Sequence, residues 1–329
     1  MKRREFMTLL SGAAVAWPLA VEAQQPQQRP VRVGVLPLGS ASNEYNQALL
    51  AAFRRGLREV GLVEDRHVVL DIVWVESELE FPQAVSALMQ RGPKLLVPSG
   101  TIASLEVKRQ ASTVPVLFIN VGNPVGIGLV ESLSDPGGNV TGFSDMHADL
   151  SGKYVQFAIE VGKPQAAVNY LWYPGWADGK YRLEVAERTA KSLNVKIRTR
   201  AISDVFEADD VFGAMKMDGA DVVVVQSSPF TFRYRDQLIN SAMGRGLATI
   251  FAFPATARTG ALLGYGPNYE DLYRRAASYV ERLIKGAKPS DLPVEQPTKF
   301  DLIINMKTAK TLGLIVPSTL LAIATEVIE

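Results

Sequence analysis

Residues 94–120 read Lys-Leu-Leu-Val-Pro-Ser-Gly-Thr-Ile-Ala-Ser-Leu-Glu-Val-Lys-Arg-Gln-Ala-Ser-Thr-Val-Pro-Val-Leu-Phe-Ile-Asn, and they contain one complete strand–helix–strand unit. Lys94 to Pro98 is a short, nearly continuous apolar run, the pattern of a strand buried on both faces. Thr101 to Ala111 follows as a helix and Val114 to Asn120 as the next strand. An apolar strand that passes through a helix to a second apolar strand is the building unit of a parallel sheet, because parallel neighbours need a crossover.

The same unit repeats in both directions along the chain. Upstream, Val31 to Leu38 is an apolar strand, Gln47 to Val60 carries apolar residues at helical spacing and ends at Gly61, His67 to Val75 alternates as a strand, and Pro82 to Gln90 is a helix with proline in its first turn. Downstream lies a second series: strand Ala166 to Tyr173, helix Ala177 to Leu193, strand Val195 to Ile202, helix Glu207 to Met215, strand Asp221 to Gln226, helix Arg233 to Arg245 and strand Ala248 to Phe253. The turn-rich stretch Asp135-Pro136-Gly137-Gly138-Asn139-Val140-Thr141-Gly142 separates the two series and marks a crossover.

After Phe253, strand Ala261 to Tyr265 and helix Tyr269 to Lys285 are expected to return to the first unit. The irregular connector Lys288 to Pro293 and strand Phe300 to Asn305 then lead back to the second, where the apolar tail Leu312 to Ile328 packs. The expected fold class is α/β, with two Rossmann-like lobes of parallel sheet joined by a hinge that the chain crosses several times. Lobe one takes residues 31–143 and 256–288, and lobe two takes 144–255 and 289–329. Open sheets of this kind bind ligands at the carboxyl ends of their strands, which places a site in the cleft between lobes.

The N-terminus reads differently. A basic start with Arg3-Arg4 and Phe6, an apolar run from Leu9 to Ala20 too short to span a bilayer, and small residues at Val21 and Ala23 predict an export signal over 1–23, similar to a twin-arginine signal and cleaved after Ala23. Residues 24–30 are expected to be a disordered leader. The reading is of a soluble protein exported to a periplasm-like space, not inserted in the membrane and monomeric. The 329 residues contain no cysteine, so neither a disulfide framework nor a thiol nucleophile is available. With the signal removed, basic and acidic residues balance, and no basic block exists to recruit nucleic acid or an anionic membrane.

Catalytic machinery is not visible. His67 and His147, the two histidines, fall in a strand and a loop with no metal-ligand spacing around them, and both read as solvated or core residues. Neither a Gly-x-Ser-x-Gly elbow nor a phosphate-binding or dinucleotide fingerprint occurs. Asp209-Asp210 and the pair Glu76 and Glu78 read as solvated charges. No enzyme activity, metal or cofactor is expected.

Several longer motifs carry a resemblance: Gly-Asn-Pro-Val-Gly at 122–126, Asp-Pro-Gly-Gly-Asn-Val-Thr-Gly at 135–142, Leu-Ser-Gly-Lys at 150–153, Gly-Ala-Lys-Pro-Ser-Asp-Leu-Pro-Val-Glu-Gln-Pro-Thr-Lys-Phe at 286–300 and Ile-Asn-Met-Lys-Thr-Ala-Lys-Thr-Leu-Gly-Leu at 304–314. From Val31 to Glu329 the chain resembles the tryptophan/tyrosine-binding family of ABC transporter solute-binding proteins. That resemblance implies a type I periplasmic binding fold, a small-molecule ligand closed between two lobes, and an inner-membrane ABC permease as partner. The competing classes are a periplasmic sensor subunit for a membrane receptor kinase and an exported α/β hydrolase.

Candidate ligand-binding residues follow from strand ends. Ser99, Gly100 and Thr101 open a helix after a buried strand and could meet a carboxylate, which is where type I binding proteins hold that of an amino acid. Asn123 follows the next strand, and Ser227 and Ser228 follow a strand of lobe two. The resembled family often has an acidic residue at both places. Their loss here points toward a carboxylic acid or neutral aromatic ligand and away from a zwitterionic amino acid, since a buried ammonium would lack its partner. Tyr173 and Trp176 in the loop 173–178, Tyr45 opposite them and Phe253 at a strand end are the candidate aromatic contacts.

Overall fold

A computed structural model describes residues 29–163 and 167–329. The expected export signal and most of the leader lie outside the described residues. In lobe one, β1 (Val31–Leu36), β2 (Val68–Ile72), β3 (Leu95–Pro98), β4 (Val116–Val121) and β5 (Val140–Ser144) form a sheet in the order β2-β1-β3-β4-β5, and every pairing is parallel. Helices α1 (Glu44–Glu59), α2 (Phe81–Gln90) and α3 (Thr101–Gln110) cover it. The Asn43 side chain caps α1 by accepting from the Asn46 N–H. Phe53 and Leu57 of α1 bury against one face of the sheet, and Val85 and Leu88 of α2 with Val107 of α3 against the other.

Lobe two holds β6 (Val168–Trp172), β7 (Ile197–Ala201), β8 (Val222–Val225), β9 (Ala248–Phe251), β10 (Leu263–Pro267), β11 (Phe300–Asn305) and β12 (Glu326–Ile328), ordered β12-β11-β10-β9-β8-β6-β7. From β10 to β7 the strands are parallel, whereas β11 runs antiparallel to β10. Its helices are α4 (Ser151–Val161), α5 (Gly179–Ser192), α6 (Ala208–Met217), α7 (Pro229–Arg233) and α8 (Arg235–Gly244). After them come α9 (Tyr269–Ile284), which packs back on lobe one, and then α10 (Met306–Leu312) and α11 (Ser318–Ile323). Val316 and Leu320 of the C-terminal segment join the lobe-two core, and β12 pairs with β11.

Four features differ from the sequence expectation. The strand near 261–265 does not return to lobe one: β10 pairs with β9 and β11, and only the helix after it crosses over. Residues 289–295, assigned to lobe two, stay on lobe one, because Thr141 Oγ1 donates to the Leu292 carbonyl and the Glu295 and Ser144 N–H groups donate to Gly142 and Glu295 carbonyls at 2.9 and 2.8 Å. The turn at 135–142 runs directly into β5, the last strand of lobe one, and does not itself leave the lobe. The helix expected over 233–245 is α8, and a separate short helix, α7, precedes it, the chain turning at Tyr234 between them.

The crossings between lobes are therefore 145–150, 268 and 296–299, and they are laced together. The Asn268 N–H donates to the Lys299 carbonyl at 2.9 Å. Asp271 receives Arg274 and Lys299 at 3.0 and 3.2 Å, while Arg275 pairs with Glu295. Among the described residues no helix is long and apolar enough to cross a membrane.

Lobe one depends on the packing of α9, delivered from late in the chain, against α1. A Cβ on Gly56 of α1 would be driven into the Arg274 carbonyl oxygen and to 2.9 Å from the Ala277 Cβ of α9. Gly56→Ala is expected to destabilise the protein by about 1–3 kcal/mol, read as a lower urea midpoint. An unchanged midpoint would show that the two helices separate without cost.

Candidate functional site

Because the strands of each lobe are parallel, their carboxyl-terminal loops gather on one side, and the two sets of loops face each other across a cavity of about 130 Å³. Lobe one contributes Leu38 after β1, Trp74 after β2, Ser99, Gly100 and Thr101 after β3, Asn120 and Gly122 at the end of β4, and Asp145 after β5. Lobe two contributes Trp176 after β6, Arg182 of α5, Ser227 and Ser228 after β8, Phe232 of α7 and Phe253 after β9. Tyr45 and Phe53 of α1 and Tyr269 and Tyr273 of α9 complete the wall. The register slips at the end of β4, where Asn120 takes the left-handed conformation at φ 67°, a conformation asparagine tolerates well, and this turns Gly122 toward the cleft.

Eight of the residues lining this wall are aromatic, with aliphatic side chains such as Val35, Leu49 and Ile119 between them. Phe253 meets Phe232 at 4.6 Å between centroids and His147 edge-on at 5.3 Å. Tyr45 approaches Phe232 from the opposite lobe at 6.5 Å. A further cross-lobe contact closes the rim, where Arg233 Nη1 donates to the Glu76 carbonyl at 3.2 Å. Such a wall offers a planar apolar ligand large faces and edges to stack on.

Charge enters the cavity at one place. Arg182 is 3% exposed, and its Nε donates to Asp178 Oδ1 at 2.9 Å in an i,i+4 pair on the first turn of α5. Its guanidinium reaches across the cleft to Gly122. A side chain at Gly122 would collide with Nη2 and would sit 3.2 Å from Asp145 Oδ1, so glycine leaves room for the arginine and the two charges flank the same point. Burial pushes the Asp145 carboxyl up to about 6, partly offset by the Arg182 charge and by the N–H of His147, which donates to Oδ1 at 3.1 Å. Burial of Arg182 favours its neutral form, but Asp178 and Asp145 outweigh that and its pKa is raised. An ionised, under-compensated carboxylate and a guanidinium therefore stand side by side in an apolar wall.

Beneath them, His147 is a core residue. It shares one hydrogen bond with Tyr154 of α4 through Nδ1 at 3.0 Å and another with Tyr269 of α9 through Nε2. Burial, reinforced by the Arg182 charge, holds its pKa well below the usual value, and burial raises those of both tyrosines. All three are neutral at physiological pH, and the imidazole ties the first crossing to the second.

Of the residues named from the sequence, Tyr45, Ser99, Gly100, Thr101, Trp176, Ser227, Ser228 and Phe253 line the cavity, and Asn123 and Tyr173 do not. Asn123 accepts from the Gly126 N–H at 2.9 Å in a local turn, and Tyr173 stacks on Phe230 at 4.6 Å. The hydroxyl of Ser228 is committed to a capping box with Thr231. The Ser99 and Gly100 N–H groups donate within the sheet, to Leu36 at 3.0 Å and Ile119 at 2.9 Å, and the Ser99 hydroxyl bonds that of Tyr273. The sequence reading missed Trp74, Asp145, Arg182, Phe232, Tyr269 and Tyr273. Its inference that the cleft lacks an acid for an ammonium is corrected by Asp145, which lines the cavity after a strand that had been read as a turn. Position 145 at a strand's carboxyl end was the available signal. Nothing in the sequence indicated which face of α5 carries Arg182.

Residues 44–328 match the family described as ABC transporter substrate binding protein. A tyrosine-binding protein of Clostridioides difficile is 23% identical over 270 residues, covering 80% of this chain and 75% of the relative. An ABC domain from Streptococcus pneumoniae, solved in complex with L-Trp, has a TM-score of 0.82 at 23% identity, over 91% of this chain and 100% of that one. The ligand-free, open structure of a substrate binding protein with adhesive properties from Clostridium difficile has a TM-score of 0.69 at 20% identity, over 91% of this chain and 99% of the other. At these identities the likeness is one of fold, the two-lobed type I periplasmic binding fold.

The raised carboxyl of Asp145 has a stability consequence. A carboxyl at about 6 when folded and near 3.8 when unfolded favours the native state while protonated, and this contribution is lost as pH rises through about 6. In urea unfolding between pH 4 and pH 8 without ligand, wild type should lose stability relative to Asp145→Asn as pH rises, with Asn the more stable above pH 6. Parallel profiles would show that Asp145 does not carry this charge cost.

Proposed function

The chain belongs to the ABC transporter substrate binding protein family, and from that premise we propose that it captures an aromatic α-amino acid between its lobes and delivers it to an inner-membrane permease. The family is one of binding proteins and not of enzymes. The observation that carries the ligand assignment is Asp145, a buried carboxylate lacking full compensation at one end of a cavity lined by eight aromatic residues. An ammonium group brought to Asp145 supplies the missing counter-charge, and a ring brought to Trp74, Trp176, Phe232 and Phe253 supplies the apolar burial. The L-Trp of the Streptococcus pneumoniae complex and the tyrosine bound by the Clostridioides difficile relative are ligands of this chemistry.

Capture works by closure. A ligand that touches both lobes gains contacts available only when they approach, and so shifts the population toward the closed form. The rim contacts between Arg233 and Glu76 and between Tyr45 and Phe232 join the two lobes across the mouth of the cavity and favour their approach. Residues 1–23 serve as the export signal, which places this cycle in the periplasm.

A thermal-shift screen of the chain from Gln24 onward against aromatic, branched and acidic L-amino acids and small sugars tests the assignment. Aromatic L-amino acids should raise the melting midpoint, since a ligand at a hundred times its dissociation constant adds about 2.7 kcal/mol. Asp145→Asn should lose most of that shift for the amino acids. A shift from sugars or branched amino acids and none from aromatic ones would overturn the reading.

A further inference from the structure

Two buried donors in the cavity wall have no acceptor: Nη1 of Arg182 and the indole Nε1 of Trp176. Both belong to lobe two, on the loop after β6 and the first turn of α5. A buried N–H without an acceptor is costly, more so when the group is charged. The guanidinium is also fixed in direction, because Nε is held by Asp178 and Nη2 lies against Gly122, and neither terminal nitrogen has an acceptor among the described residues.

The lobe-one alternative is largely occupied. At Ser99-Gly100-Thr101, two N–H groups are committed to the sheet and the serine hydroxyl to Tyr273. We propose that Arg182, with the indole N–H of Trp176, is the carboxylate receptor of the cleft, selecting ligands that carry an acidic head group. This deepens the amino-acid reading above and rests on its placement of the ligand in this cavity. Asp145 and Arg182 flank one point beside Gly122, so the ammonium and carboxylate on a single α-carbon meet adjacent charges of opposite sign. Trp176 then has two functions in one side chain, a face for the ring and an edge for the carboxylate. Ser227 also lines the cavity.

The test is isothermal titration of L-tryptophan, indole-3-propionate and tryptamine into wild type, Arg182→Lys and Trp176→Phe. Lysine keeps the charge without the planar fork, and phenylalanine keeps a ring without the N–H. A charge-assisted hydrogen bond to carboxylate corresponds to roughly a tenfold or greater change in affinity. Tryptophan and indole-3-propionate should each weaken about tenfold or more in the variants, while tryptamine is unchanged or binds none of the three proteins. Should Arg182→Lys fail to fold by circular dichroism, Trp176→Phe decides alone.

Equal losses for all three probes, unchanged binding of the acids to the folded variants, or a wild type that binds neither acid would overturn the receptor assignment. Indole-3-propionate bound with tryptophan excluded would instead overturn the amino-acid reading and leave Arg182 as the receptor for an aromatic acid.

Discussion

A guanidinium at 3% exposure is the constraint around which the cleft is organised. Removing such a charge from water costs several kcal/mol unless partners replace the solvent, and the partners of Arg182 come from both lobes. Asp178, four residues earlier at the N-cap of the same helix, takes Nε; Asp145, just after the last lobe-one strand, adds its field; Gly122 gives up a side chain so that the group fits. Together these place a positive and a negative group at one end of an aromatic cavity and couple the lobes electrostatically across it.

The topology explains why these groups meet. Parallel strands joined by helical crossovers bring every carboxyl-terminal loop to one side of its sheet. Eight strand ends, from β1 through β5 in lobe one and β6, β8 and β9 in lobe two, accordingly reach the same cavity. The crossings set how the two sides face each other. Hydrogen bonds link 145–150 to 268–269 through His147 and Tyr269, and 268 to 299 through the backbone, so the three crossings are tied to one another. His147 suits this position because burial keeps it neutral, and a neutral imidazole can serve two hydroxyls without bringing in another charge.

The strand–helix alternation was legible in the sequence because it depends on local apolar periodicity, and so were the loops that line the cleft, because in this topology a site residue sits where a strand ends. Ser99 to Thr101, Trp176, Ser227, Ser228 and Phe253 were found on that basis. What local pattern does not encode is pairing. The short segment at 263–267 looks the same whether its neighbour is β9 or a lobe-one strand, and only the antiparallel partner β11, more than thirty residues on, fixes it in lobe two. Val140 to Ser144 was hidden by the glycines before it, and with it went Asp145. Arg182 lay on a helix with mixed polarity all round, where the sequence shows an i,i+4 partner but not which way the pair faces.

The charged end of the cleft carries a cost to stability. Asp145 is held ionised where burial disfavours it, and Nη1 of Arg182 and Nε1 of Trp176 are buried without acceptors. A protein selected only for stability would replace such groups with apolar ones, since well-packed hydrophobes commonly match or exceed buried charges. On the proposed reading, a ligand with opposite charges on one carbon would relieve all three penalties at once, and only with both lobes around it, because Asp145 comes from lobe one while Arg182 and Trp176 come from lobe two. Its binding free energy is thereby concentrated in the closed state, and a ligand with no differential interaction with the two states could not shift the equilibrium however tightly it bound.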